Sequence, residues 1–313
     1  MMAHNSRRFI AEAIESVLAQ DFKDWELLIS DDASHDGTGE VVERYLNDQR
    51  IHFYRHENNL GQAQNWWFLI QQSSAPVFAR LDADDRWYPH TARKMVDAHQ
   101  GGADVFIGSF VRCYEPTGRQ RPGPIIHSGR HTAIEAYRDQ ARWATALQGA
   151  TSYKTELARR VGAPLTSLRY MVDYEYVLRL LSASRIVETV TVPLLFYRVH
   201  CANETSQAQS TLGYLPERRL LFEACKRHAE WNPGVACALD TLHRSLCAAD
   251  FSDGLSEAVR GDREKGYRVM REAVERCPYL LRSPRVRVDL MLTSLGAIGY
   301  RVLRLLHRRR VLA

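Results

Sequence analysis

An alternation of predicted strands and helices runs from residue 9 to residue 114 and restricts the fold more than any other feature of the chain. Short apolar runs that are typical of buried strands cover residues 25–30, 51–54, 76–81 and 103–114. Apolar residues at helical spacing lie between these runs, over residues 9–20, 36–46, 62–71 and 89–100. We therefore predict an α/β fold, with a Rossmann-like, mostly parallel sheet that carries helices on both faces.

The pattern changes near residue 206, after which only helical periodicity remains. This change predicts an α/β domain over residues 1–206 and a helical C-terminal extension over residues 207–313. From Arg282 onward the chain has eight arginines against one acid, Asp289. The apolar and basic faces of residues 288–308 predict an amphipathic helix that lies on an anionic membrane surface. The alternative is a helix that packs on the first domain and leaves its arginines in solvent.

The composition is that of an ordinary globular protein, with 45% hydrophobic and 25% charged residues among 313. Nucleic-acid binding is disfavoured because no basic patch in the first domain is interleaved with aromatic residues. The six cysteines show neither Cys-x-x-Cys pairs nor zinc spacing, which indicates free thiols. Neither a signal peptide nor a run long enough to span a bilayer is evident. We expect a cytoplasmic protein that contacts the inner face of the membrane.

Carboxylates follow two of the predicted strands at the point where each strand ends. Asp82, Asp84 and Asp85 come after the run that ends at Leu81. In an extended segment Asp82 and Asp84 point the same way, and such oxygen donors suit Mg²⁺ or Mn²⁺ when diphosphate oxygens complete the coordination shell. A bound cation would neutralise the charge that grows on a departing nucleoside diphosphate. The alternative is a solvated acidic turn.

Asp31 and Asp32 follow the other strand, and the carboxyl ends of parallel strands meet at one edge of a sheet. These carboxylates could accept hydrogen bonds from a nucleobase N–H or a ribose hydroxyl. They could instead cap the helix that begins near Gly37, although Asp36 can provide that cap. We favour the ligand-binding interpretation.

Six segments, in order along the chain, together resemble the family 2 glycosyltransferases. The segments are 9–20, 25–38, 59–65 with Asn59-Leu60-Gly61 and Asn65, 80–85 with Arg80-Leu81-Asp82-Ala83-Asp84-Asp85, Asp173-Tyr174-Glu175, and Tyr197-Arg198-Val199-His200. The resemblance implies a GT-A fold and an enzyme that moves a sugar from a nucleotide-diphosphate sugar to a hydroxyl group of a cell-surface glycan, polysaccharide or lipid-linked acceptor.

The resemblance also implies roles for individual residues. Asp173 would be the catalytic base. Asp84 would be the principal ligand of Mg²⁺ or Mn²⁺, together with Asp82 and His200. The nucleotide-sugar would be bound by Asp31, Asp32, Asn65, Arg80, Asp82 and Arg198.

The chemistry of an inverting sugar transfer supports the role of Asp173. One base must take the proton of the acceptor hydroxyl, and such a base contributes about 10²–10⁴ in rate. The alternative is an acid that merely favours the N-terminus of a helix. Many relatives have a Glu before this Asp, where this chain has Val172.

The start of the chain departs from the family, whose members open with an apolar strand before the first helix. Only residues 1–5 precede that helix here, with Asn5 at the place of a family Asn. We expect the first β-strand to be missing, either because the start codon is assigned too far downstream, which we favour, or because the strand is lost. A missing strand keeps two other functions open: a non-catalytic or degenerate nucleotide-sugar-binding protein, and a nucleotidyltransferase on a similar sheet.

Overall fold

The computed structural model describes residues 1–115, 117–123, 127–143, 148–203, 212–294, 299 and 302–303. A parallel three-stranded sheet, ordered β1-β2-β3, forms the N-terminal part. Its elements are β1 (Met2–Ala3), α1 (Ile10–Leu18), β2 (Leu27–Asp31), α2 (Thr38–Val42), β3 (Ile51–Arg55) and α3 (Gln62–Gln72). Predicted strands and helices are confirmed here to within a few residues, and Asp36 caps α2 by accepting the Thr38 N–H at 3.0 Å.

A seven-stranded sheet follows, in the order β4-β9-β6-β10-β5, with β7 beside β6 and β8 beside β10. Its elements are β4 (Val77–Ala79), β5 (Arg86–Trp87), α4 (Thr91–Gln100), β6 (Val105–Tyr114), β7 (Arg119–Pro122), β8 (Gly129–Thr132), α5 (Ala133–Trp143), β9 (Thr151–Lys154), α6 (Thr155–Val161), α7 (Val172–Ala183) and β10 (Ile186–Val199). β6 and β10 are parallel, whereas the other described pairs of this sheet are antiparallel.

The predicted mostly parallel sheet is therefore correct for β1–β3 but not for the second sheet. The reason is that strand–helix alternation, which produces parallel neighbours, stops at β6. A short turn there sends the chain back as β7, the short strand β8 pairs with β10, and β9 lies antiparallel between β4 and β6. Residues 119–122 form the exposed strand β7 and residues 129–132 form the partly exposed strand β8.

Helices cover both faces of the sheets, as the alternation predicts. Along β2, Leu28 packs on one face in a cluster with Trp66 of α3 and Tyr176 of α7. Leu27 and Ile29 point to the opposite face, into the cluster that contains α1 and α4. This alternation follows from the two-residue repeat of a strand, and it gives the sheet a buried layer on each side.

The C-terminal region is helical, and its first half packs on the α/β core. Its elements are α8 (Tyr214–Trp231), α9 (Ala236–Arg260), α10 (Arg263–Arg276) and α11 (Pro284–Ser294). Leu221 and Cys225 of α8 and Leu242 of α9 belong to the same apolar cluster as Leu28 and Tyr176. The predicted domain boundary at residue 206 and most of the predicted tail helix lie outside the described residues. In the described part of the chain, we find no helix that combines the length and apolar character of a membrane span.

The expected absence of the first strand is corrected by the structure. Met2 and Ala3 form β1, which pairs in parallel with Ser30 and Asp31, and Met2 also bridges to Asp82. The strand is therefore two residues long rather than missing. A cavity of about 740 Å³ lies beside it, between Leu27 and Leu28 of β2 and the strand β4.

Candidate active site

A cavity of about 190 Å³ opens beyond the end of β4 and the start of α7. It brings together four of the predicted site residues, namely Arg80, Asp82, Asp84 and Asp173. The remaining residues of its wall are Gln62, Asp85, Gly149, Arg169, Tyr170, Leu195, Tyr197, Asn203 and Tyr214. The acidic loop and the predicted base therefore line one space of small-molecule size.

The acidic loop after β4 is held from the opposite side by the segment that follows β10. His200 Nε2 lies 3.1 Å from Asp84 Oδ2, and the Asn203 amide donates to the same oxygen at 2.9 Å. Asp85 turns away from solvent and accepts the Arg198 backbone N–H at 2.8 Å. Burial raises the pKa of Asp85 well above its usual range, and the charges of Asp84 and Asp82 add to this shift. Asp85 and Asp84 both line the cavity, but Asp85 is also bonded to the backbone of β10.

Arg198 lies behind the acidic loop rather than in the cavity wall. Its guanidinium donates to the Asp84 carbonyl at 2.8 Å and forms ion pairs with Glu12 at 2.8 Å and Glu115 at 2.6 Å. All of its charge is used within the protein, with 7% of the side chain exposed. Arg198 therefore positions the loop in this structure, and its contact with the nucleotide-sugar stays a prediction.

Arg80 is a buried cation on the cavity wall. One Nη donates to Asp82 at 2.7 Å, and the guanidinium carbon lies 4.6 Å from the centre of the Trp66 ring. Its Nε and Nη1 have no hydrogen-bond partner among the described residues. A buried donor without a partner costs about 1–3 kcal/mol, so these N–H groups favour an anionic or hydroxyl-bearing ligand in the cavity.

Asp173, the second residue of α7, lies across the cavity from the acidic loop. Burial raises the pKa of its carboxyl, and the charge of Asp82 adds to the shift. The Arg80 charge and the Tyr174 N–H, which donates at 2.7 Å, act in the opposite direction. A carboxylate with a raised pKa is a stronger base, which is the property that proton abstraction requires.

The pKa of Asp173 leads to a pH prediction. Because the deprotonated carboxylate acts as the base, kcat/KM should fall as the pH drops through a pKa above the ordinary aspartate value of 3.8. Arg80→Met removes the positive charge that opposes the shift, so it should move the acid limb to higher pH. Arg93→Met, at an exposed position of α4, is the matched control. An unmoved limb in Arg80→Met would show that another group sets it.

The predicted nucleoside residues Asp31, Asp32 and Asn65 lie at the end of β2, outside the cavity wall. Asp32 accepts the backbone N–H groups of Leu60 at 2.6 Å and Gly61 at 3.0 Å. Asn65 is buried and pairs with the hydroxyl and carbonyl of Ser30. Asp31 is fully buried, with Oδ2 3.7 Å from Arg55 Nε. These side chains shape the rim through internal contacts, and direct contact with a nucleoside stays a prediction.

The donor atoms present fit a divalent cation only in part. Among the described residues, no group of three or more His, Cys, Asp or Glu side chains has the arrangement of a metal site. Asp84 Oδ2 and His200 Nε2 nevertheless converge to 3.1 Å, and carboxylate with imidazole is a suitable pair for Mn²⁺. The protein thus offers two donors, and a ligand would have to supply the others.

Several residues of the site were not found from the sequence. Glu12 and Glu115 neutralise Arg198, and Asn203 holds Asp84. Tyr170 and Tyr214 line the cavity with their ring centres 5.8 Å apart. Glu115 directly follows the strand that ends at Tyr114, and Glu12 lies within the predicted helical segment 9–20, but neither stands in an acidic cluster. Asn203, Tyr170 and Tyr214 lie outside the predicted segments.

Comparisons with known proteins agree with this geometry. Residues 1–161 match the model of glycosyl transferase family 2. EpsE of Bacillus subtilis (strain 168) is 26% identical over 232 residues, which cover 72% of this chain and 81% of EpsE. Residues 1–349 of S. aureus TarS in complex with UDP-GlcNAc superpose with a TM-score of 0.69 at 16% identity, covering 98% of this chain and 90% of that one. The chain spans 53% of a longer TarS structure.

A third similar structure is the mannosyltransferase PcManGT of Pyrobaculum calidifontis, in complex with GDP-Man and Mn²⁺. Its TM-score is 0.57 at 14% identity, with 97% of this chain and 85% of that one covered. The family match covers 161 of the 313 residues, more than half of the chain. The chain therefore belongs to glycosyl transferase family 2, with the GT-A fold of its structural neighbours, and its class is that of a glycosyltransferase.

Proposed function

We propose that this protein transfers a sugar from a nucleotide-diphosphate sugar to a hydroxyl group of a cell-surface glycan, polysaccharide or lipid-linked acceptor, with inversion at the anomeric carbon. The observation that carries the proposal is the shared cavity of Arg80, Asp82, Asp84 and Asp173. It combines a buried cation with unsatisfied donors, an acidic loop and an opposing carboxylate of raised pKa. TarS and PcManGT, of the same fold, have been solved with UDP-GlcNAc and GDP-Man.

The reaction follows from the two walls of the cavity. Asp173 takes the proton of the acceptor hydroxyl, and the acceptor oxygen attacks the anomeric carbon. The bond between that carbon and the diphosphate oxygen breaks on the opposite face, so the configuration inverts. Arg80 Nε and Nη1 would donate hydrogen bonds to the nucleotide-sugar. Only one protein base is needed in this scheme, because the departing diphosphate has a low proton affinity.

We further propose that Mg²⁺ or Mn²⁺ binds with the donor, held by Asp84 and His200 with Asp82 nearby. When bound, the cation neutralises the charge that develops on the leaving diphosphate. Asp84 and His200 provide an oxygen and a nitrogen donor 3.1 Å apart. Oxygens of the donor diphosphate and of water would have to supply the remaining ligands of an octahedral shell.

A panel of nucleotide-sugars tests the proposal as a whole. Thermal shift and donor hydrolysis should be recorded for UDP-, GDP- and TDP-sugars, with Mn²⁺, with Mg²⁺ and with EDTA. We expect one nucleotide class to stabilise the protein and to be hydrolysed slowly, because water can replace the acceptor. The proposal fails if no nucleotide-sugar changes the stability of the protein and all of them remain intact under all three conditions. The protein is then not a glycosyltransferase of this type.

We also propose that the enzyme contacts an anionic membrane surface through the start of α11 and the turn before it. The apolar side chains of Tyr279, Leu281, Val288 and Met291 are exposed there. Exposed arginines surround them at positions 282, 285 and 287. An exposed apolar patch with a basic border is typical of surfaces that lie in a membrane interface.

Charge reversal should test the membrane surface. Each basic residue near an anionic surface contributes about 1 kcal/mol, so Arg282→Glu with Arg287→Glu should weaken partitioning by at least about 30-fold. Sedimentation with vesicles of 30% phosphatidylserine at low salt measures this, and vesicles of phosphatidylcholine show the neutral baseline. Arg119→Glu with Arg121→Glu, on the exposed strand β7, has the same charge change and should bind as the parent does. Equal loss in both double variants would contradict a local surface.

A further inference from the structure

A buried carboxylate in the helical region holds the loop that precedes Asp173. Glu217, in the first turn of α8, has 8% of its surface exposed. Its Oε1 accepts the backbone N–H of Arg169 at 2.8 Å, and its Oε2 accepts those of Tyr170 at 2.8 Å and Met171 at 2.9 Å. Three consecutive N–H groups thus converge on one side chain that is 46 or more residues away in the chain.

These bonds act at the start of the helix that carries Asp173. α7 begins at Val172, and its preceding residue, Met171, has no side-chain cap of its own. The N–H groups at a helix start lack partners within the helix, and a carboxylate there is favoured by the helix dipole. Of the three bonded N–H groups, that of Met171 belongs to the helix start, and those of Arg169 and Tyr170 belong to the loop before it. Successive N–H groups that converge on an anion also fix the backbone of the loop itself.

The loop that Glu217 holds lines the cavity, and it leads directly into the helix turn that carries Asp173. Arg169 and Tyr170 line the cavity wall, and Asp173 follows two residues after Met171. Tyr214, from the same turn of α8 as Glu217, lines the cavity and packs edge-on against Tyr170. A displacement of this helix would move the loop and the base together. The chemistry depends on such placement, since a misplacement of about 1 Å can cost about 10²-fold in rate.

We propose that Glu217 is a positioning residue of the transferase, which sets the placement of Asp173 through the 169–171 backbone. The inference rests on the proposed role of Asp173 as the base. It assigns a function to the region beyond residue 161, where the family match ends. The helical region is then part of the active site rather than an appendage, because it supplies Glu217 and Tyr214 from one helical turn.

Two substitutions with a matched control test this role. Glu217→Ala removes all three acceptors and should lower kcat by about 10–100-fold. The donor Kd should stay within a few-fold of the parental value, since Glu217 bonds the 169–171 backbone and not Arg80 or Asp84. Glu217→Gln keeps one carbonyl oxygen for the N–H groups of Tyr170 and Met171, so it should recover much of the lost kcat. Glu223→Ala, on the exposed face of the same helix, should match the parent.

Saturating donor and acceptor separate kcat from KM, and calorimetry with a non-transferable donor analogue measures the donor Kd. A parental kcat in Glu217→Ala overturns the proposal. So does a Glu217→Ala protein that has lost donor binding or cooperative unfolding together with kcat, because the residue would then serve folding as a whole. No recovery in Glu217→Gln also counts against it.

Failure of the proposed function can be distinguished from failure of the positioning role of Glu217. If Asp173→Asn transfers sugar at the parental rate, the assignment of the base is wrong whatever Glu217 does. If Asp173→Asn is impaired as expected and Glu217→Ala is normal, only the positioning role is overturned.

Discussion

Asp173→Asn should lower kcat by about 10²–10⁴-fold and leave the donor Kd near the parental value. The amide has the same shape as the carboxylate, and its oxygen can still accept the Tyr174 N–H that now donates to Asp173 at 2.7 Å. It cannot take a proton from an acceptor hydroxyl at neutral pH. The expected defect is therefore chemical, with donor binding preserved by Arg80 and the acidic loop on the other wall.

Initial rates at saturating donor and acceptor measure the change in kcat, and titration calorimetry with the donor measures binding. Asp97→Asn is the matched control, because Asp97 is an exposed carboxylate of α4 away from the cavity. It should show parental rates. Transfer by Asp173→Asn within a few-fold of the parent would mean that another group accepts the proton. Loss of donor binding in the same variant would place Asp173 in donor recognition instead.

The sequence is sufficient to predict strands that stand out as short apolar runs with polar residues at their ends. β2 and β3 have apolar runs that end in polar residues, and both appear within two residues of the predicted ends. The sequence of residues 186–200 shows two extended runs separated by Pro193. The structure instead accommodates Pro193 within one strand, where the register with β6 shifts on both sides of it. A proline at an irregular position of a ladder cannot be told from one that ends a strand.

A similar limit applies to α9, because the helical pattern of the sequence is interrupted between residues 249 and 253. Gly254, just beyond this interval, is a packing residue, since a Cβ there would lie 2.8 Å from the Gly266 carbonyl oxygen. The two glycines allow α9 and α10 to approach closely, and the helix continues through Gly254. The helical propensity of glycine argues for a break, whereas its small size is favoured by a partner helix that the local sequence does not reveal.

Some residues of the candidate site could likewise be predicted from the sequence, whereas the contacts of others could not. Residues on one strand end, such as Arg80, Asp82 and Asp84, can be placed together from the sequence because one loop carries them. Asp32 and Arg198 have the residue types of ligand contacts, yet their hydrogen bonds go to backbone groups and to Glu12 and Glu115. Arg198 and Glu115 pair although they are more than 80 residues apart in the chain. The local sequence therefore does not show which buried charge has an internal partner. Only the tertiary structure supplies that information.

Asp84→Asn should abolish the dependence of donor binding on Mn²⁺ and lower transfer by at least about 10²-fold. A cation at a leaving group contributes several kcal/mol, and each 1.36 kcal/mol is about tenfold in rate. The amide keeps the size of the side chain and an oxygen that can still face Asn203, now 2.9 Å from Asp84 Oδ2. It removes the negative charge that a cation requires, so the loop should keep its shape while the metal affinity falls.

Calorimetry with the nucleoside diphosphate, in Mn²⁺ and in EDTA, separates the two contributions for the parent, Asp84→Asn and the Asp97→Asn control. The parent and the control should bind more tightly in Mn²⁺, whereas Asp84→Asn should bind equally weakly in both buffers. His200→Gln provides a second check, because it removes the imidazole without altering the charge of the acidic loop. We expect an intermediate loss, since Asp84 remains as an anionic donor. Full transfer by the parent in EDTA would refute the metal and leave the transferase reaction itself intact, with Arg80 as the remaining cation on the donor wall.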